Sequence, residues 1–255
     1  MSADAPTSTP PTSGRVLPAF AFIGWRWISR NPASAIAPIL LPFMFLYFLR
    51  LISPPEYFPL EVVGAMLFTT QNIGSWVLGD SATWRIEMRL QEIFVASPMG
   101  RVRYLIGVAF SNLIPAMPAL LVLGVLLATL VHVPLLGWAA LVAAIGMLWV
   151  LFSAIGISLS SRLKSQREVW PVGNLTFTVI GMLSPLYYPI TKLPPLWQDA
   201  ARFLPPTYAA FLVQQVLGLP GAVPSNPLVD LGLLALSTVV GTALALHWYD
   251  WREAD

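Results

Sequence analysis

The residue types that usually carry out catalysis or bind metal ions are rare in this sequence. It has no cysteine and only two histidines, His132 and His247, which lie far apart and do not form the H-E-x-x-H pattern of a zinc protease. It has neither a Gly-x-Ser-x-Gly nucleophile elbow nor a G-x-x-x-x-G-K-[ST] loop that would bind the phosphates of ATP. These absences argue against hydrolytic chemistry, a metal site and an ATP site in this chain, and we expect it to bind no cofactor.

The longest charged segment covers residues 80–103, DSATWRIEMRLQEIFVASPMGRVR. Within it, Ile86, Leu90 and Phe94 recur every four residues, while charged and amide side chains occupy the other faces. This period predicts an amphipathic cytoplasmic helix of about three turns over residues 84–96, which ends at the proline and glycine that follow. Such a helix is suited to docking on a soluble partner. The alternative, a solvated helix that contacts no partner, stays open on spacing alone.

Several polar side chains lie within otherwise apolar segments, where lipid does not accept them freely. They indicate helix faces that point toward a translocation path with a weakly polar lining. The alternative is interhelical hydrogen bonding, worth about 0.6 kcal/mol for each contact. The candidate path residues are Thr69, Gln71, Asn72, Asn112, Asn174 and Thr178.

The same segments carry almost no charge, which argues against a small ionic substrate, because an ion needs paired charges or dipoles along its path. A lipid, a lipid-linked molecule or an amphipathic drug fits such a lining better. A neutral polysaccharide is also compatible with small polar and aromatic groups, and the sequence leaves these substrates open.

The composition indicates what kind of scaffold holds these residues. Hydrophobic residues make up 56% of the chain and charged residues 10%, with a mean hydropathy of +0.71. A soluble domain carries roughly 25% charged residues, so this chain has too few charges to cover a water-facing surface. Its net charge of +2 is too small to indicate a nucleic-acid partner. We therefore predict an integral membrane protein whose surface contacts the lipid bilayer.

Six segments are apolar enough to cross a bilayer, which requires about 20 helical residues. Of the 14 Lys and Arg residues, only Arg50, Lys192 and Arg202 fall on the side opposite the N-terminus. Because cytoplasmic loops are enriched in basic residues, both termini are predicted to be cytoplasmic in an all-α, multi-pass protein of the cell inner (plasma) membrane. The predicted spans cover residues 35–51, 60–78, 104–131, 136–159, 169–187 and 228–248.

Segments outside the spans complete the predicted architecture. Residues 1–14, rich in Pro, Ser and Thr, are expected to form a disordered cytoplasmic tail, and residues 15–255 a single transmembrane domain. The segment 15–30 places its arginines on one side and is predicted to be an interfacial helix, with an extension of the first span as the alternative. The proline-rich stretch 187–227 is predicted to form re-entrant half-helices on the outer side.

Two of these segments resemble a known family. Residues 85–113, RIEMRLQEIFVASPMGRVRYLIGVAFSNL, are similar to the coupling-helix signature of the ABC-2 type permeases: a Glu near the start, an apolar helix, a small residue before Pro98, basic residues and then a membrane span. Residues 184–215, SPLYYPITKLPPLWQDAARFLPPTYAAFLVQQ, resemble the family's re-entrant outer region, with its Tyr-Pro, Leu-Pro-x-x-Trp and Pro-Thr-Tyr motifs. The glycine of the family's Glu-x-Gly-Thr-like turn is not evident, since none of the three residues after Glu87 is glycine.

The resemblance implies that the chain is the membrane-spanning permease subunit of an ATP-driven ABC exporter for a drug, lipid or glycan. It further implies a dimer with a second copy or a homologous permease, and a separate cytoplasmic ATPase subunit that binds ATP and Mg. The residues that the resemblance assigns to coupling with this ATPase are Arg85, Glu87, Arg89, Gln91 and Glu92.

An ion-coupled secondary transporter or channel is the principal alternative, and a membrane enzyme or scaffold is a third. Secondary transporters commonly keep ionisable residues within their spans to bind the coupling ion. Here Glu61, Asp80 and Asp230 lie near the ends of predicted spans, and the central parts of the spans are nearly free of charge. We therefore favour the exporter.

Overall fold

The computed structural model describes residues 16–30, 32–89 and 100–249, and all regular secondary structure within these ranges is helical. The prediction of an all-α protein is therefore confirmed. The predicted tail, residues 1–14, lies outside the described residues. Numbered along the chain, the α-helices are α1 (Val16–Arg30), α2 (Pro32–Ile52), α3 (Phe58–Ile86), α4 (Arg101–Leu130), α5 (Leu135–Ser160), α6 (Gln166–Leu183), α7 (Pro195–Arg202), α8 (Pro205–Val216) and α9 (Pro227–Trp248).

Three helices of the described part, α4, α5 and α9, are long and apolar enough to cross a membrane. They correspond to the predicted spans 104–131, 136–159 and 228–248, which are thus confirmed as apolar helices of membrane length. Helix α2 contributes the shorter apolar helix Leu40–Ile52. Helix α3 is less apolar because polar side chains, among them those of residues 69–72, interrupt its hydrophobic sequence.

Helix α3 lies at the centre of the bundle and packs against α2, α4, α5, α6 and α8. Glycines allow the closest of these contacts. A Cβ atom built on Gly156 of α5 would collide with the carbonyl oxygen of Gly74 in α3, and a Cβ atom on Gly74 would collide with the ring of Phe177 in α6. Because these positions carry no side chain, α5 and α6 both pack directly on α3.

Helix α1 packs along α4. Phe20 is buried in this contact, and its ring lies so close to Gly107 that a Cβ atom there would overlap it. Other side chains of α1, among them Phe22 and Trp25, are exposed. The position of α1 at the membrane interface stays a prediction.

Two short helices, α7 and α8, lie in the region predicted to contain outer half-helices. The hydroxyl of Thr207 in α8 donates a hydrogen bond of 2.6 Å to the carbonyl oxygen of Ala201 in α7, which joins the two helices across their turn. Helix α8 packs against α3, α5 and α9, whereas Leu196 and Trp197 of α7 are exposed. The prediction of short helices here is confirmed, while their depth in the membrane stays a prediction.

The predicted cytoplasmic helix over residues 84–96 is wrong in its first part, because α3 continues to Ile86 and helical structure then stops. The carbonyl oxygen of Thr83 accepts the backbone N–H groups of both Glu87 and Met88, at 3.0 and 3.1 Å, which closes the end of α3. Arg89 then adopts a left-handed φ of 50°. Residues 90–99 lie outside the described residues.

Candidate functional site

One side of α3 carries polar and aromatic side chains at intervals of four residues: Asn72, Trp76, Asp80 and Trp84. In an α-helix this interval places residues on one side, with a drift of about 40° at each step. We call these four residues the α3 stripe. Each of them lines at least one of two cavities in the bundle.

The first cavity, the Asp80 cavity, has a volume of about 470 Å³ and is lined by residues of α1, α2, α3, α4 and α6. Trp76 and Trp84 of the α3 stripe line it together with Trp170 of α6. Asp80 is the only charged side chain among the described residues of its lining. Asn112 of α4 is a polar, uncharged member of the same lining. Within the described ranges, no Lys, Arg or His lies at ion-pair distance from it.

The second cavity, the Asn174 cavity, has a volume of about 600 Å³ and is lined by α2, α3, α6 and Tyr187. The ring of Tyr187 meets that of Phe45 edge-on, with 4.6 Å between the centroids. Leu41, Trp76 and Trp170 line both cavities. The two cavities are therefore adjacent, and these three side chains lie between them.

The structure brings together most of the side chains that the sequence assigned to a path. Thr69, Asn72, Asn174 and Thr178 line the Asn174 cavity, although they come from two helices that are far apart in the sequence. The fifth, Asn112, lines the Asp80 cavity.

Gln71 is the exception among the candidate path residues. It is fully buried and lines neither cavity, and its side-chain amide donates a hydrogen bond of 2.6 Å to the carbonyl oxygen of Phe177 in α6. Gln71 therefore fits the alternative interpretation, an interhelical hydrogen bond.

Sequence reasoning missed Asp80, which it noted only as an acidic residue near the end of a span. The expectation of a lining without charge does not hold for the cavity that also contains Asn112. A signal was present in the sequence, since Trp76 and Trp84 stand four residues before and after Asp80 and must share its side of a helix.

The segment assigned to coupling is only partly described. Glu87 and Arg89 are exposed directly after the end of α3. Gln91 and Glu92 lie outside the described residues.

Arg85 differs from the exposed Glu87 and Arg89 because its side chain forms hydrogen bonds within the bundle. Its guanidinium donates to the carbonyl oxygens of Ser160, at 2.5 Å, and Leu163, where α5 ends and turns toward α6. Nearby, Gln166 of α6 donates a hydrogen bond of 2.7 Å to the hydroxyl of Thr83. The C-terminal end of α3 is therefore tied to the α5–α6 turn and to α6 by two side-chain contacts.

Comparison of the sequence with models of known protein families identifies the family of this chain. Residues 17–217 match the family model described as ABC-2 type transporter, which is most of the chain. The chain belongs to the ABC-2 type transporter family. The resemblance found in the sequence is thus confirmed, and this ABC-2 chain is a multi-pass membrane protein and a permease component of a transporter rather than its ATPase. A comparison with curated proteins finds no match.

Two further arginines of the ABC-2 permease bind main-chain carbonyls at the end of α9. Arg101 donates to the carbonyl oxygens of Leu246 and Tyr249, the latter at 3.0 Å, and its guanidinium lies 5.2 Å from the centre of the Tyr249 ring. Arg162 donates to the carbonyl oxygen of Trp248 at 3.1 Å. Cations at this end of a helix complement its dipole.

The described residues of the ABC-2 permease offer no group of three or more His, Asp or Glu side chains that could hold a metal ion.

Proposed function

We propose that this ABC-2 permease is the transmembrane subunit of an ATP-driven exporter that moves a hydrophobic, amphipathic or lipid-linked substrate outward. The observation that carries the proposal is the pair of adjacent cavities along the α3 stripe. Their volumes, about 470 and 600 Å³, lie within the range of sites for small organic molecules. Drugs, lipids and glycans are all compatible with this proposal.

The proposed topology has six spans, formed by α2, α3, α4, α5, α6 and α9, with both termini in the cytoplasm. The 29 residues of α3 support its assignment as a span, since at 1.5 Å per residue they extend about 43 Å, more than the hydrocarbon core requires. Its polar side chains are compatible with a span because they face other helices or the two cavities. In this topology α1 lies at the inner interface and α7 and α8 at the outer side.

Energy for transport is proposed to come from a separate cytoplasmic ATPase subunit that binds ATP and Mg, with a second permease completing the path. Glu87 and Arg89 are exposed at the cytoplasmic end of α3 and are the proposed contacts, together with Gln91 and Glu92. Arg85 would transmit a movement of this segment to the α5–α6 turn through its hydrogen bonds.

The decisive experiment isolates the tagged full-length chain from its native membrane in mild detergent and assays the bound proteins for ATP hydrolysis. We expect an ATPase subunit to co-purify and its activity to change with substrate. The double variant Glu87→Ala, Glu92→Ala should hydrolyse ATP without transport, whereas Glu56→Ala, an exposed carboxylate in the turn before α3, should behave as wild type. Absence of an ATPase from the purified complex would contradict the proposal.

One observation favours the alternative, an ion-coupled secondary transporter or channel. Glu61 of α3 is 1% exposed, and a buried ionisable side chain within a membrane span commonly marks an ion or proton pathway. The two functions differ in their energy source. Substrate accumulation in vesicles that persists in a protonophore and requires ATP supports the exporter, and accumulation that collapses with the ion gradient supports the alternative.

A further inference from the structure

We propose that the Asp80 cavity binds the charged group of an amphipathic organic cation, such as a quaternary ammonium or phosphonium. This inference rests on the proposed exporter function and names the substrate class of its inner cavity. It follows from the charge of the lining, from its aromatic groups and from its connection to the Asn174 cavity.

The first argument is the charge of Asp80. Its side chain is exposed to the cavity, is the only charged group among the described lining residues, and has no described cationic residue at ion-pair distance. A carboxylate surrounded by apolar groups is costly unless an opposite charge or hydrogen bonds compensate it. Asn112, which also lines the cavity, carries no charge. A cationic ligand would supply the missing charge, and an anionic ligand would be repelled.

The second argument is the arrangement of three tryptophans around that carboxylate. Trp76 and Trp84 lie one helical turn to either side of Asp80 on α3, and Trp170 approaches from α6. Indole rings attract organic cations through their quadrupole, and this attraction is strongest when the site excludes water. The combination of one carboxylate with several aromatic faces is typical of sites for weakly hydrated ammonium groups.

The same lining argues against a metal ion. Calcium and magnesium take about six or more oxygen ligands in close geometry. The Asp80 cavity offers one carboxylate and otherwise mostly carbon atoms and indole rings. Its chemistry suits a large organic cation that keeps apolar contacts on every side.

Hydrogen bonds hold the walls of the site in place. The side-chain amide of Asn112 donates to the carbonyl oxygen of Val108 at 3.2 Å, which fixes the orientation of a polar residue in the lining that contains Asp80. The bond from Gln166 to Thr83 joins α6 to α3 one turn before Trp170. These bonds keep both Asn112 and the tryptophan from α6 positioned before a ligand arrives.

The third argument is the route available to the rest of an amphipathic molecule. Leu41, Trp76 and Trp170 are shared with the Asn174 cavity, whose other described lining residues carry no charge. A cation held at Asp80 could therefore extend its apolar part past these three side chains. This places the head of the ligand near the cytoplasmic end of α3 and its apolar part toward the middle of the bundle.

The test measures equilibrium binding of radiolabelled tetraphenylphosphonium to the full-length chain in dodecyl maltoside, an uncharged detergent. Tetraphenylborate has nearly the same shape and the opposite charge, and because the two ions pair with each other, its binding is measured in separate samples with radiolabelled anion. We expect the wild type to bind the cation and to show no saturable binding of tetraphenylborate. Binding of the anion with the same affinity as the cation would overturn the proposal.

Variants of the site separate charge from packing. Asp80→Asn should weaken binding at least about tenfold, which corresponds to about 1.4 kcal/mol, while Asp80→Glu should retain most of it. Asp199→Asn, which removes an exposed carboxylate of α7, should leave binding unchanged. Trp84→Leu should weaken binding several-fold and Trp84→Phe less. Thermal unfolding of each variant verifies the fold, and equal affinity of Asp80→Asn and wild type would refute the assignment.

The source of the cation is distinguished by competition. Displacement by lysophosphatidylcholine but not by lysophosphatidylglycerol would assign the site to a choline headgroup of a lipid, and displacement only by soluble lipophilic cations would assign it to a drug-like solute. Because the assay needs no ATPase, its failure is separable from failure of the proposed function. A chain that binds the cation but has no ATPase partner would refute the exporter and leave the site intact.

Discussion

Gly156→Ala is expected to destabilise the helix bundle, although alanine is the better helix former. The added methyl group would collide with the carbonyl oxygen of Gly74 and would lie 3.1 Å from its carbonyl carbon and 3.2 Å from the amide nitrogen of Leu78. All three atoms belong to the main chain of α3, so no side-chain rotation can relieve the overlap. Helices α3 and α5 must instead separate by roughly 1 Å before the methyl reaches van der Waals distance.

The expected magnitude follows from two opposing effects. Overpacking of this kind costs about 1–3 kcal/mol, and replacing glycine by alanine within a helix returns at most about 1 kcal/mol. We expect a net loss of about 1–2 kcal/mol in the free energy of unfolding, which lowers Tm by about 2–8 °C for a chain of this size.

The chain offers a matched control in the same helix. At Gly146 of α5, the position that an alanine methyl group would occupy has no heavy atom within 4 Å, so Gly146→Ala should leave Tm unchanged or raise it. Tm would be measured for the full-length variants in dodecyl maltoside from intrinsic tryptophan fluorescence. Equal Tm values for Gly156→Ala and Gly146→Ala would refute the close crossing of α3 and α5.

Substitutions at four further positions test other features of the structure. Arg85→Gln removes charged hydrogen bonds worth about 1.5–3 kcal/mol each before compensation by the new amide. Tm should therefore fall, and the ATPase response to substrate should weaken. An unchanged ATPase response would show that Arg85 does not transmit movement to the α5–α6 turn. Arg89→Gly should raise the free energy of unfolding by about 0.5–1 kcal/mol, because a left-handed φ costs an L-residue about 1–2 kcal/mol and does not carry this cost for glycine. Arg89→Ala removes the same side chain but keeps the Cβ atom, so it should not raise the free energy of unfolding. Gln71→Leu should lower Tm without altering which substrates are transported, whereas Asn174→Ala should alter transport with little change in Tm. The reverse pattern would contradict the assignment of Gln71 to an interhelical hydrogen bond and of Asn174 to the cavity lining.

The parts of the fold that depend on local hydropathy could be predicted from the sequence. Helices α4, α5 and α9 each contain an apolar stretch long enough to cross a membrane, so each is recognisable without knowledge of its neighbours. Thr69 and Asn72 were recognisable as path candidates for the related reason that polar groups are rare in such segments. Whether such a side chain lines a cavity or bonds to another helix depends on which residues face it, and only the folded bundle determines this.

Gln71 and Asp80 show where local sequence stops being informative. Gln71 finds its acceptor in Phe177, 106 residues further along the chain, and no local pattern predicts that contact. Asp80 is peripheral by its position in the predicted span, and only the folded bundle places it in a cavity that four other helices help to line. The predicted start of the cytoplasmic helix was wrong for a different reason. The same four-residue spacing also fits the end of the preceding helix, which continues to Ile86.

The bonds from Arg85, Arg101 and Arg162 to helix-end carbonyls imply an unequal tolerance to mutation at the end of the bundle where α3, α5 and α9 terminate. Their acceptors are main-chain atoms, so a change of side chain at Ser160 or Leu246 leaves the acceptor in place. A change of the arginine removes the bond outright. Comprehensive mutagenesis should therefore find that the three arginine positions tolerate few substitutions, whereas the residues whose carbonyls they bind tolerate many. Sequence covariation between an arginine and its acceptor residue is then not expected, although the two are in contact.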